Sequence, residues 1–215
     1  MIISHHSKFI FVHIPKTGGS SLIRFFDSPG MLLPRRFPGC KSTVDRRLDH
    51  MTVANLRTCA NTDFRDFYVF SIVRNPYDRF LSAYWFLKKK LEQGDSHYLG
   101  TCGTSRITCL EHLAGLYPIA DQVCRPMYHW VRNEGKVDCE IYRYEDGLEN
   151  ILQQVELKVR ADYDFDYMLP MGRLPRINSE YREDHSHYRQ VIPAAVKEFI
   201  DHVYAEDFKL FGYSW

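Results

Sequence analysis

The stretch HIPKTGGSS, residues 13–21, constrains this chain more than any other, because it joins an apolar run at residues 9–14 to a helix-like stretch at residues 20–26. That order reads as strand, glycine turn and helix start. Gly18 and Gly19 let the backbone turn tightly and approach an anion, while the N–H groups of a new helix terminus and the charge of Lys16 supply positive potential. The expected guest is a phosphate-like group. A Walker A loop reads GxxxxGK[ST], with its lysine after the glycines, whereas Lys16 precedes them here. An ordinary ATP or GTP loop is therefore disfavoured.

A second anion-type segment, RNPYDRFLSAYWF at residues 74–86, follows directly on a buried strand expected at residues 67–73. Asn75 suits the cap of the following helix and Pro76 its first turn. Arg74 then stands at the strand end, with Ser82 about two turns along the helix at ~3.6 residues per turn, so that a guanidinium and a hydroxyl can share one anion. Two plainer readings stand beside this one: Arg74 paired with Asp78 near the helix start, and Ser82 as an ordinary helix-surface serine.

Taken together and in this order, IPKTGGSS and VRNPYDRFLSAY resemble the two nucleotide-binding segments of sulfotransferases, specifically the Golgi-type carbohydrate sulfotransferase family and its bacterial relatives. The likeness extends to IYRYEDGLEN at residues 141–150 and VYAEDFKLFGY at residues 203–213, and is weakest over residues 94–137. It implies a donor, 3′-phosphoadenosine 5′-phosphosulfate (PAPS). Lys16, Thr17, Gly18, Gly19, Ser20 and Ser21 match the segment that holds its 5′-phosphosulfate, and Arg74 and Ser82 match the pair that holds its 3′-phosphate. The acceptor implied is a hydroxyl, on a glycan or glycoconjugate.

Sulfuryl transfer needs an acceptor hydroxyl in line with the sulfur, stabilisation of charge on the departing phosphate, and a group that takes the hydroxyl proton. Lys16, a compact cation with rotatable donors, suits the second need. For the third, His50 in LDHMTVANLR is the candidate: an imidazole titrates near neutrality, and this one precedes a helix expected to be capped by Thr52. Related sulfotransferases use a histidine or glutamate in this part of the chain, and HMTV resembles the histidine version. His13 is read as a packed strand residue outside the site.

Strands expected at residues 9–14, 67–73 and 140–144 alternate with helical stretches, which predicts an α/β fold with a P-loop-like parallel sheet flanked by helices. Ligands of such sheets bind beyond the C-terminal ends of the strands, where both motifs fall. With 215 residues, 45% of them hydrophobic, the chain suits one domain spanning residues 1–215. Thr108 and Glu111 form a capping-box pattern, and Pro193 opens a helix with a core stripe of Val196, Phe199, Ile200, Val203 and Tyr204. Lys88, Lys89 and Lys90 suit the C-terminal end of the second-motif helix.

A formal net charge of +1 and the lack of a base-reading motif disfavour nucleic acid as a partner. Arg35, Arg36, Lys41, Arg46 and Arg47 crowd one segment, either as a basic lip for an anionic acceptor or as a solvated loop. Residues 160–183, with Tyr163, Tyr167, Arg173, Arg176 and Asn178, read as a loop that could cover the nucleotide or shape the acceptor cleft. No stretch approaches the roughly twenty apolar residues of a membrane-spanning helix. The expected protein is a soluble, bacterial-type, cytoplasmic member, the Golgi lumen applying only if an N-terminal anchor has been removed. Six cysteines lack zinc-site spacing, and Cys102 with Cys109 could close a short disulfide loop in an oxidising compartment. No metal is expected: His185 and His187 read as a solvated pair and Glu145 as structural. Rival readings are an ATP-dependent P-loop-type kinase and a non-catalytic nucleotide-binding protein.

Overall fold

A computed structural model describes residues 1–4, 8–26, 51–59, 66–117, 120–163 and 187–215. The chain divides into two compact units, Met1–Val73 with His129–Arg176, and Arg74–Tyr128 with Ile177–Trp215.

The first unit is built on a four-stranded sheet of order β1-β2-β3-β6, from β1 (Ile2–Ser4), β2 (Phe9–Val12), β3 (Tyr68–Val73) and β6 (Glu140–Arg143). β2, β3 and β6 run parallel and β1 pairs antiparallel with β2. The expected parallel α/β sheet is present. β2 is apolar throughout because both of its faces are covered, as parallel strands require. Phe9 and Phe11 face a cluster with Leu22, Phe25 and Phe26 of α1 (Gly19–Phe26) and Ile151, Leu152, Val155 and Val159 of α8 (Leu148–Tyr163). Ile10 and Val12 face the opposite cluster with Val53 and Leu56 of α2 (Val53–Cys59). The one buried hydroxyl in the middle of β3, Ser71, donates to the Val12 carbonyl at 2.8 Å, so it carries no desolvation penalty.

Strand ends differ slightly from expectation. β2 stops at Val12, since His13 and Ile14 already lead into the glycine turn, and β6 stops at Arg143, where Tyr144–Asp146 tighten into a 3-10 turn. The edge strand β1 and a small antiparallel hairpin of β4 (Arg132–Asn133) and β5 (Lys136–Val137) were not expected. The hairpin turns at Glu134 and Gly135, both with positive φ, as a two-residue turn matched to strand twist demands.

The second unit is helical. Its centre is α3 (Pro76–Glu92), whose Tyr77, Phe80, Leu81, Tyr84, Leu87 and Leu91 are buried at helical spacing. Around it lie α4 (Ser96–Cys102), α5 (Leu110–Gly115), α6 (Asp121–Cys124), α9 (Tyr188–Val191), α10 (Ala194–Val203) and α11 (Ala205–Phe211), while α7 (Tyr128–Val131) returns the chain to the first unit. The stripe after Pro193 forms as expected, with Val196, Ile200 and Tyr204 buried and Phe199 and Val203 against them. Thr108 is not the cap of α5. Cys109 occupies that position, and the Thr108 hydroxyl instead lies 3.4 Å from His112 Nδ1. The Cys102 and Cys109 thiols are unbridged, as are Cys124 and Cys139.

Candidate functional site

Residues Pro15–Gly18 turn the chain from the end of β2 into α1. Two of them are left-handed, Lys16 at φ 69° and Gly18 at φ 86°. A lysine in that region is uncommon and costs about 1–2 kcal/mol, a strain that persists only where surroundings over-determine it. The constraint is visible on both sides. Thr17 is fully buried and donates its hydroxyl proton to the Ile14 carbonyl at 2.9 Å, and the Ser21 N–H donates to the Gly18 carbonyl at 3.1 Å. Because a hydroxyl has one proton to give, Thr17 can offer an anion only its backbone N–H. Ser21 is buried, Ser20 and Lys16 half-buried.

The two glycines are needed for different reasons. A Cβ at Gly18 would lie 2.9 Å from Tyr144 Cε2 and 3.1 Å from Leu148 Cδ1, and its positive φ disfavours a side chain in any case. At Gly19 a Cβ would lie 2.0 Å from His13 Cδ2, inside the imidazole ring. His13 is buried and stacks on Phe11 with centroids 5.9 Å apart. The first turn of α1 therefore rests directly on the His13 ring, an arrangement open only to glycine.

The second segment is built as its residues foretell. Asn75 Oδ1 accepts from the Tyr77 N–H at 3.0 Å and Pro76 occupies the first turn of α3. Arg74 is paired with Asp78: Nε lies 2.8 Å and Nη2 2.6 Å from Asp78 Oδ2. Ser82 is half-buried one further turn along α3. Lys16–Ser21 belong to the first unit, Arg74 and Ser82 to the second. His50, the basic cluster from Arg35 to Arg47, Tyr167, Arg173, Arg176, Asn178, His185 and the side chain of Tyr163 lie outside the described residues. Thr52 does cap α2, accepting from the Asn55 N–H at 3.1 Å.

A family model described as the sulfotransferase family matches residues 1–214. The chain belongs to the sulfotransferase family. No curated protein and no solved structure matches it. Membership makes the parallel-rich sheet with flanking helices a sulfotransferase fold, and both motif segments fall inside the matched span.

In this sulfotransferase-family chain several residues support the two segments in ways the sequence did not single out, Tyr204 having been read only as part of a core stripe. Tyr144 and Leu148 back the glycine turn. Asp207, fully buried in α11, accepts from the Met127 N–H at 2.7 Å and the Tyr128 N–H at 2.8 Å. Arg79, also buried, donates to the Val123 carbonyl at 3.0 Å, and Tyr204 to the Cys124 carbonyl at 2.6 Å. Burial drives the Tyr204 phenol well above its ordinary range. No local pattern marks these roles, because each is exercised on a part of the chain far away in sequence. Among the described residues no cluster of His, Cys, Asp or Glu could hold a metal ion, and no helix is long and apolar enough to cross a membrane. His187 caps α9, its Nδ1 accepting from the Arg189 N–H at 3.3 Å.

Proposed function

We propose that the chain is a PAPS-dependent sulfotransferase that moves the sulfuryl group to a hydroxyl of a carbohydrate and releases 3′,5′-adenosine bisphosphate. The observation that carries this reading is the turn after β2, with Lys16 held left-handed between a buried strand and the start of α1. Such a turn presents backbone N–H groups, a helix N-terminus and an ammonium group to one anion. In the proposed reaction the acceptor oxygen attacks sulfur as the bond from sulfur to the bridging phosphate oxygen breaks. Negative charge grows on that bridging oxygen, where Lys16 and the N–H groups of residues 17–20 stabilise it without reorganising. The acceptor proton passes to His50, and Arg74 with Ser82 holds the 3′-phosphate. The loop and Lys16 supply the positive potential, so no metal is invoked.

The test is calorimetric titration with 3′,5′-adenosine bisphosphate, AMP and ATP, each with and without magnesium. Tighter, metal-independent binding of the bisphosphate is expected. Preference for magnesium-ATP would overturn the reading in favour of a kinase, and bisphosphate binding with no transfer to any hydroxyl acceptor would reduce the chain to a nucleotide-binding protein.

A further inference from the structure

Arg74 is held from three directions within the second unit. Its main-chain N–H points at the Met127 sulfur, 3.5 Å away. The neighbouring Asn75 caps α3 and donates through Nδ2 to the Ser214 carbonyl at 3.1 Å. The guanidinium is gripped along its Nε and Nη2 edge by a single carboxylate oxygen of Asp78. With the two side chains only 12% and 22% exposed, this is not the solvated surface pair whose contribution is small.

Fixing a free arginine side chain costs up to about 2 kcal/mol of rotamer entropy, and a ligand that meets an already fixed guanidinium avoids that cost. Nε and Nη2 are the donors of the planar fork that reach Asp78, so the ion pair fixes the plane in which the guanidinium is presented. Asp78 also lies in the first turn of α3, where a carboxylate is favoured by the helix dipole.

We propose that Asp78 is a positioning residue: it presets the Arg74 guanidinium for the 3′-phosphate of the nucleotide and thereby sets the selectivity for 3′-phosphorylated nucleotides. This rests on the donor assignment made above. A merely structural pair would alter stability and leave nucleotide selectivity alone. A carboxylate that opposed the phosphate by charge would have the reverse effect on affinity.

The experiment measures dissociation constants for 3′,5′-adenosine bisphosphate and AMP by calorimetry on the unaltered chain and on Asp78→Ala, Asp78→Asn and Asp78→Glu, with thermal midpoints as a check on folding. Loss of one charge-assisted contact predicts that the Ala and Asn variants bind the bisphosphate about tenfold more weakly. AMP binding should stay within about twofold, and Glu should recover part of the loss. Should Asp78→Ala not fold, the Asn and Glu variants carry the same comparison. Unchanged or tighter bisphosphate binding in the folded variants overturns the positioning role while leaving the donor assignment standing. If the unaltered chain itself fails to prefer the bisphosphate over AMP, both fall together.

Discussion

A methyl group at Gly19 would meet the His13 ring at 2.0 Å, and the ring is pinned by Phe11 and by burial. Gly19→Ala is therefore expected to destabilise by about 1–3 kcal/mol, as overpacking does. Adding His13→Ala makes room, so urea denaturation of the double variant should show recovery where independent sites would show a sum. Lys16 leads to a prediction of the opposite kind. Lys16→Gly relieves the left-handed strain and should hold or raise stability by up to about 1 kcal/mol. Under the proposed mechanism turnover should fall by about two to three orders of magnitude, since the charge that it assigns to the bridging oxygen is gone. A thermal scan beside an activity assay checks both halves. The sequence pattern HIPKTGGSS disclosed the turn and its charge, because glycines, lysine and hydroxyls are local signals. It could not disclose that Thr17 turns inward, nor that one glycine answers to His13 and the other to Tyr144, since those facts depend on which distant ring is nearest.

At the scale of elements, α2 is fastened to the β4–β5 hairpin region by Arg57, whose Nε and Nη2 reach Asp138 at 2.8 and 3.1 Å, with Asn133 donating to the same carboxylate at 3.2 Å. The Arg57 hydrogen bonds hold the Asp138 carboxyl below its usual range, against the opposing effect of burial. A depressed carboxylate contributes stability above its unfolded pKa and loses it as pH falls through the folded value. Asp138→Asn should accordingly weaken the fold by about 1 kcal/mol near neutrality, a figure kept small because the pair is partly solvated, and should flatten the acid limb of a stability profile. Residues 123–128 are fastened more tightly, by Arg79 and Tyr204 to carbonyls and by Asp207 to two N–H groups. Asp207→Ala strands those donors in the interior and should cost about 2–4 kcal/mol in chemical denaturation. The long elements were legible in sequence: β2 and β3 as apolar runs, α3 from its cap and period, α10 from its stripe. The short helices α4, α6 and α7 were not, and α5 only through the Thr108–Glu111 pattern that misses its cap by one residue, because helices of four to seven residues are held by packing rather than by propensity.

For the molecule as a whole, each unit has its own apolar core, one organised on the sheet and the other on α3. The family match runs through both, so neither is an appendage to the other in sequence terms. A ligand that binds only the folded protein stabilises it by mass action, about 2.7 kcal/mol at a hundredfold excess over its dissociation constant. Thermal scans with 3′,5′-adenosine bisphosphate should show that rise and scans with AMP a smaller one. The two-sided burial of β2 has one more consequence, in time rather than in space. Val12 and Ser71, bonded across β2 and β3, lie 59 residues apart. At ~5–20 residues per second of synthesis, the most apolar strand of the nascent chain waits roughly 3–12 s for its parallel neighbour to exist. Until then β1 can cover one edge of it, and α1 and α2, both synthesised before β3, can cover its faces, but the edge that β3 will take stays open, which makes FIFV the segment a holding chaperone would meet first and the one through which a crowded, overproducing cell would lose this protein to aggregates.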